Sequence, residues 1–289
     1  MGKMFEALQK VEREKLGEPH VDSVKVTPGD IVLDDKIITF FEPGSMIAEQ
    51  FRRLRTNIIR PGLQNNIPKT ILVTSAMPGE GKSLISINLA ITIAIELHSH
   101  ALVVDCDFRN PSLSQWFGLK EGKGLSNYLL GELEIPDIMV KTSIDKLSFL
   151  CGGTIQDNPV ELIGSKRMQS LVADLKSRYE DRYIIFDSSP LLATTEPSVL
   201  NRMVDGILLV VRAGETPRES IQQALKQLDK EKILGVVLND LEFKTDAMNR
   251  RNFGTDRYYY DYRYSSAHSA PTASGRVKTF FGNHRPPKK

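Results

Sequence analysis

The stretch KTILVTSAMPGEGKS, residues 69–83, decides the fold. Its first half is a short apolar run rich in β-branched residues, which reads as a buried strand. Its last eight residues fit the pattern G-x-x-x-x-G-K-[ST] except at the first position, where Ala76 replaces Gly. A loop that cradles phosphate must aim backbone N–H groups at anionic oxygens from the N-terminus of a helix. Gly79 and Gly81 permit that close approach, Lys82 reaches the outer phosphates, and Ser83 offers a hydroxyl to a divalent cation. Pro78, Gly79, Glu80, Gly81, Lys82, Ser83 and Leu84 are therefore the expected nucleotide contacts, with ATP and Mg2+ as the ligands. The plainer alternative is a glycine-rich turn opening an ordinary helix. Strand, loop, Lys-Ser and helix arriving in that order favour the phosphate reading.

Outward from this loop, strands and helices alternate. A helix is expected from Lys82 to about Leu97, then strands at 101–105, 146–153, 183–187, 206–212 and 233–239. Helices are expected over 165–179 and after Pro217, whose missing N–H costs nothing at a helix start. Continuous β-branched runs separated by helices imply an α/β fold with a doubly wound, mainly parallel sheet covered on both faces. Ligands of such sheets bind at the carboxyl ends of the strands. There stand Asp105 and Asp107, two apart and so pointing the same way from an extended segment, and Asp187. Asp187 is the expected acidic partner of a hydrated Mg2+, with Ser83 and Asp105 beside it. Asn239, at the end of the last strand, is a candidate to read the adenine edge or simply a turn residue.

Composition narrows the class. The chain has 289 residues, 40% of them hydrophobic, and a net charge of +2, so nothing global points to nucleic acid. Cys106 and Cys151 have no metal-ligand spacing, which suits a reducing compartment. No apolar run approaches the roughly 20 residues needed to cross a bilayer, so a soluble, cytoplasmic protein is expected. Three segments follow. Residues 1–45 hold an amphipathic helix (Phe5, Leu8, Val11 and Leu16 on one stripe) and an extended linker. Residues 46–241 form the nucleotide-binding domain. Residues 242–289 are a flexible tail, basic overall, which holds five of the eight tyrosines at Tyr258, Tyr259, Tyr260, Tyr262 and Tyr264.

The trio SAMPGEGKS, LVVDCDFR and IIFDSSP resembles the bacterial protein-tyrosine kinases, built on a deviant phosphate-loop fold. The likeness extends through Gly124, Leu125, Ser126, Leu129 and Gly131 and the segment around Asn158, Pro159, Glu161 and Leu162. It departs at Asn110 and Ser114, where the family more often has Arg and His. The resemblance implies catalytic roles for Lys82, Asp105, Asp107 and Asp187. By itself EQFRRLR places Glu49, Arg52 and Arg55 on one helical face, a salt-bridged stripe; the resemblance implies a contact between subunits that closes a ring.

The tail tyrosines are, by the same resemblance, substrates of the kinase itself, modified in trans. Further implied are a role in exopolysaccharide synthesis, export and chain length, a separate transmembrane activator that recruits the chain to the inner face of the membrane, and a tyrosine phosphatase. Two alternatives stay open. The partitioning and division-site ATPases share the fold but carry a lysine where Met77 stands here. An ATP-binding scaffold without phosphoryl transfer is kept open by Ala76, Asn110 and Ser114.

Overall fold

The computed structural model describes residues 34–59, 67–118, 122–178 and 181–240. The amphipathic stripe at 4–16 and the tyrosines at 258–264 lie outside the described residues.

In chain order the elements open with α1 (Ile38–Phe41), α2 (Met46–Ile59), β1 (Thr70–Ser75), α3 (Lys82–Ala94) and β2 (His100–Asp105). Next come α4 (Leu113–Trp116), α5 (Leu125–Leu130), α6 (Ile135–Ile138), β3 (Met139–Lys141) and β4 (Leu147–Leu150). The order closes with α7 (Pro159–Ile163), α8 (Lys166–Arg178), β5 (Arg182–Asp187), α9 (Glu196–Leu200), β6 (Gly206–Arg212), α10 (Arg218–Lys226) and β7 (Ile233–Asn239). The strands make one seven-stranded sheet in the order β3-β4-β2-β5-β1-β6-β7. All pairings are parallel except β3 with β4. The expected doubly wound, mainly parallel sheet is what forms. The antiparallel edge strand β3 was not expected, because three residues are too few to show a period.

Both faces are covered, which explains the uninterrupted apolar runs. Ile71 and Val73 of β1 pack with Val103, Ile185 and Val210 beneath α1, α2 and α3. Leu72, Leu102, Ile184 and Phe186 face the other way, against Met168, Leu171, Val172 and Leu175 of α8 and Leu200 of α9. Each such side chain taken from water contributes about 1.5–3 kcal/mol before entropy is counted. Helix α3 is apolar nearly all round and is buried along most of its length, as expected of a helix enclosed on several sides.

One expectation is corrected. Residues 34–41 are not linker: Ile37 and Thr39 are buried, and the Asp34 N–H donates to the Trp116 carbonyl at 3.1 Å. Asn88 Oδ1 on α3 accepts from both the N–H and the hydroxyl of Thr39, at 3.0 and 2.9 Å. A four-residue helix flanked by Asp, Pro and Gly has no readable period, so its anchor is a tertiary contact. Strand β7 differs from the other long strands: it is half-buried on one face and exposed on the other. It is an edge strand, and Leu234, Val236 and Leu238 stand 38%, 48% and 59% exposed.

Candidate active site

Parallel pairing brings the carboxyl ends of β1, β2 and β5 to one edge, and register aligns their acids. Asp105 lies directly opposite Asp187, with Val73 opposite Asp187 on the other side. The phosphate loop leaves β1 at this edge and enters α3. Gly79 and Gly81 take left-handed backbone angles, φ +78° and +91°, which side chains other than glycine rarely adopt. At Gly81 a Cβ would also meet Asn239 Nδ2 at 2.1 Å. Ala76 needs no such freedom. Its methyl is fully buried in the core on the α8 face, so the departure from the usual first glycine adds packing.

The loop is braced from within. Glu80 is buried; it accepts from the Met77 N–H at 2.8 Å and from the Thr216 hydroxyl. Asn239 Nδ2 donates to the Glu80 carbonyl at 2.9 Å. Asn239 thus stands against the phosphate loop, with that hydrogen bond as its described role. Met77, at the position of the missing second lysine, is partly exposed.

Lys82 and Ser83 open α3. Ser83 Oγ donates to Asp187 Oδ2 at 2.6 Å, and Ser86 Oγ to Asp187 Oδ1 at 2.9 Å. Ser86 was missed, although it lies three residues from Ser83 on the same helical face. Asp105 is also buried, and both of its oxygens accept backbone N–H groups, from Asp107 at 3.1 Å and Leu113 at 3.2 Å. Asp107 Oδ1 accepts the Asn110 N–H at 3.1 Å.

Burial dominates the electrostatics. It pushes Asp187 up to about 6, against the pull of the Ser83 hydrogen bond, the Lys82 charge and Ser86. Burial and then the neighbouring Asp187 charge push Asp105 well above the usual carboxylate range. Asp107 is raised as well, chiefly by burial, while the Asn110 N–H and Lys82 oppose the rise and Glu196 adds to it. Three carboxylates are therefore held at a cost that positive charge would relieve.

Among the described residues, no group of three or more His, Cys, Asp or Glu side chains converges to hold a metal ion. Ser83 Oγ and Asp187 supply hard oxygen donors on one side of the loop. Asp105 has both oxygens committed to the backbone and is placed to act through them.

The stripe on α2 is engaged within the chain. Arg52 pairs with Glu49 at 2.8 Å and donates to the Pro43 carbonyl at 2.8 Å. Arg55 donates to the Thr92 carbonyl at 3.0 Å. Two further polar features escaped the sequence reading: the Thr216 bridge to Glu80, and a pair between Arg109 and the buried Glu196. Neither partner is near the other in sequence, so no local pattern announces them.

Residues 68–235 match the family model described as an AAA domain. The chain is 34% identical over 205 residues to tyrosine-protein kinase YwqD of Bacillus subtilis, covering 70% of this chain and 85% of the relative. It is 31% identical to the putative tyrosine-protein kinase CapB of Staphylococcus aureus, covering 74% and 93%. The crystal structure of the chimerical protein CapA2B2 superposes with a TM-score of 0.67 at 31% identity, over 81% of this chain and 98% of that one.

Proposed function

The chain belongs to the bacterial protein-tyrosine kinases, and from that premise we propose that it is an autokinase acting on its own carboxy-terminal tyrosines. The observation that carries the site assignment is the contact of Ser83 with Asp187 directly beneath the phosphate loop. Lys82 and the loop N–H groups hold the β- and γ-phosphates of ATP. Ser83 and Asp187 would hold Mg2+, which would supply charge neutralisation at the phosphates. Asp105 keeps the segment after β2 in place through the Asp107 and Leu113 amides and faces Asp187 across the sheet.

Asp107 orients the acceptor phenol. The phenolic oxygen bonds to the γ-phosphorus, the bond from that phosphorus to the bridging oxygen breaks, and ADP leaves. The phenolic proton passes to Asp107, whose raised pKa suits it to accept a proton. In a loose transition state alignment matters more than the base. Asn239 steadies the loop next to the nucleotide, a role that leaves room for an adenine contact.

The acceptors are Tyr258, Tyr259, Tyr260, Tyr262 and Tyr264, phosphorylated in trans within a ring that Glu49, Arg52 and Arg55 help to close. Membership of the family supports the wider setting: regulation of exopolysaccharide synthesis, export and chain length, with a transmembrane activator and a tyrosine phosphatase as partners. Among the described residues no helix is long and apolar enough to cross a membrane.

Intact mass of the purified chain after incubation with Mg-ATP tests the proposal, with Lys82→Met alongside. Stepwise phosphate additions that map to 258–264 and vanish in the variant are expected. ATP hydrolysis with an unmodified tail would remove the autokinase reading.

A further inference from the structure

Glu196 sits at the first position of α9 with its side chain 3% exposed, and its Oε1 accepts from Arg109 Nε at 2.9 Å. Its other oxygen, Oε2, is buried and has no hydrogen-bond partner. A buried carboxylate that is one hydrogen bond short is costly, and removing the cation that pairs with it costs more still. The guanidinium is therefore held firmly by Nε. Its side chain nevertheless remains half exposed. Among the described residues, Nε makes the guanidinium's one hydrogen bond, which leaves the two Nη groups and their four N–H donors available.

The position of this fork is informative. Arg109 follows Asp107 by two residues, and its own backbone N–H lies against the Asp107 carboxylate. Glu196 is close enough to Asp107 for its charge to be felt there. The fork thus stands at the rim of the place where the acceptor phenol is oriented. A planar guanidinium already fixed at one edge loses little freedom on binding and matches a carboxylate with two parallel hydrogen bonds. A lysine in its place would do neither.

We propose that Arg109, held by Glu196, selects the acceptor by gripping a carboxylate one or two residues from the tyrosine, so that the kinase favours acid-flanked tyrosines. The tail offers such carboxylates: Asp261 lies between Tyr260 and Tyr262, and Asp256 stands two residues before Tyr258. Arg109 is a specificity-determining residue on this account and Glu196 a positioning residue. The proposal rests on the kinase activity, and its extension to the tail rests on the autokinase reading above.

The test uses the full chain with Mg-ATP and two acceptor sets. One is a pair of tyrosine peptides that differ only in Asp or Asn beside the tyrosine. The other is the Lys82→Met chain as a protein acceptor, with and without Asp256→Asn and Asp261→Asn. The readout is the ratio of kcat/KM for the acidic over the neutral acceptor. About tenfold is expected, the scale of one charge-assisted hydrogen bond. Arg109→Ala brings the ratio to one and Arg109→Lys restores little of it. Glu196→Gln keeps an acceptor for Nε but not the charge, and lowers the ratio with Arg109 still present. A merely structural ion pair would alter stability and leave the ratio alone.

A wild-type ratio of one overturns the proposal. So does an equal loss on both acceptors in Arg109→Ala, which would assign the fork to the nucleotide. Phosphorylation of acidic peptides but not of the tail removes the autokinase reading and leaves this one standing. No phosphotyrosine on any acceptor overturns both.

Discussion

Ser83 Oγ lies 2.6 Å from Asp187 Oδ2, joining the first turn of α3 to the carboxyl end of β5 across the mouth of the phosphate loop. The two residues are far apart in sequence, and the parallel register of β1 between β5 and β6 is what brings them together. In the proposed function a hydroxyl and a carboxylate so placed share one task, the cation side of the phosphates. Asp187→Asn should lower phosphotyrosine formation by roughly a hundredfold or more, the scale of losing one charge-stabilising group. Ser83→Ala removes only the hydroxyl and should cost less. Initial rates by intact mass at saturating Mg-ATP measure both. Equal activity in Asp187→Asn would place the cation elsewhere.

The same burial predicts an unusual pH dependence for the metal-free protein. Asp187 titrates near 6 in the folded chain against about 3.9 unfolded. Between those values the folded state binds more protons than the unfolded one, so stability falls as pH rises through the window. Asp105 and Asp107 are raised too and act in the same direction. For Asp187 alone the loss is of order 3 kcal/mol. Asp205, held low by Lys176 and Thr70 despite its burial, has its window below about 3.9 and does not interfere. Thermal melts without divalent cation should show wild type losing stability from pH 4 to 6.5 relative to Asp187→Asn, with little further change above. Mg-ADP should stabilise wild type more at the higher pH.

How much of this was legible follows from the range of each interaction. The phosphate loop could be read because its glycines, lysine and serine are consecutive and each has a local reason: φ of +78° and +91° at Gly79 and Gly81 are demands of the backbone itself. The sheet could be read because β1, β2, β5 and β6 are buried on both faces and so nearly uninterrupted in apolar character. The run 233–239 looked equally apolar, yet β7 is an edge; which strand lies outermost is a matter of topology and leaves no mark on the run. Thr216, Ser86 and Glu196 are ordinary residues made important by what arrives beside them. The packed segment at 34–41 was hidden for the same reason.

That segment yields a stability prediction. Asn88 Oδ1 satisfies two donors on Thr39, and Asn88 Nδ2 donates to the Leu84 carbonyl at 3.0 Å and the Lys36 carbonyl at 3.3 Å. Asn88→Ala leaves the buried Thr39 N–H without a partner, at about 1–3 kcal/mol. For a domain of this size that lowers Tm by roughly 2–12 °C, at about 2–4 °C per kcal/mol. Asn88→Asp keeps the acceptor but places a charge beneath α1, and should be no better. A melt of Asn88→Ala that matches wild type would mean that residues 34–41 add nothing to the fold.

The last prediction concerns Glu80, whose buried carboxylate ties the Met77 amide to the Thr216 hydroxyl and so links the phosphate loop to the turn after β6. Thr216 Oγ1 accepts in turn from the Arg212 N–H at 3.1 Å, which leaves its one proton for Glu80. Thr216→Val preserves shape and removes the donor, which leaves one Glu80 oxygen buried and unpaired at about 1–3 kcal/mol. The loop can recover that only by moving, and a moved loop no longer presents its amides to the phosphates. Nucleotide affinity should fall about five- to tenfold with kcat at saturating ATP changed less, the signature of lost ground-state binding. Thr216→Ser, which restores a hydroxyl, should recover most of the affinity. Titration calorimetry with Mg-ADP on the three proteins decides the matter. Equal affinities would show that Gly79, Gly81 and the Asn239 contact hold the loop without Thr216.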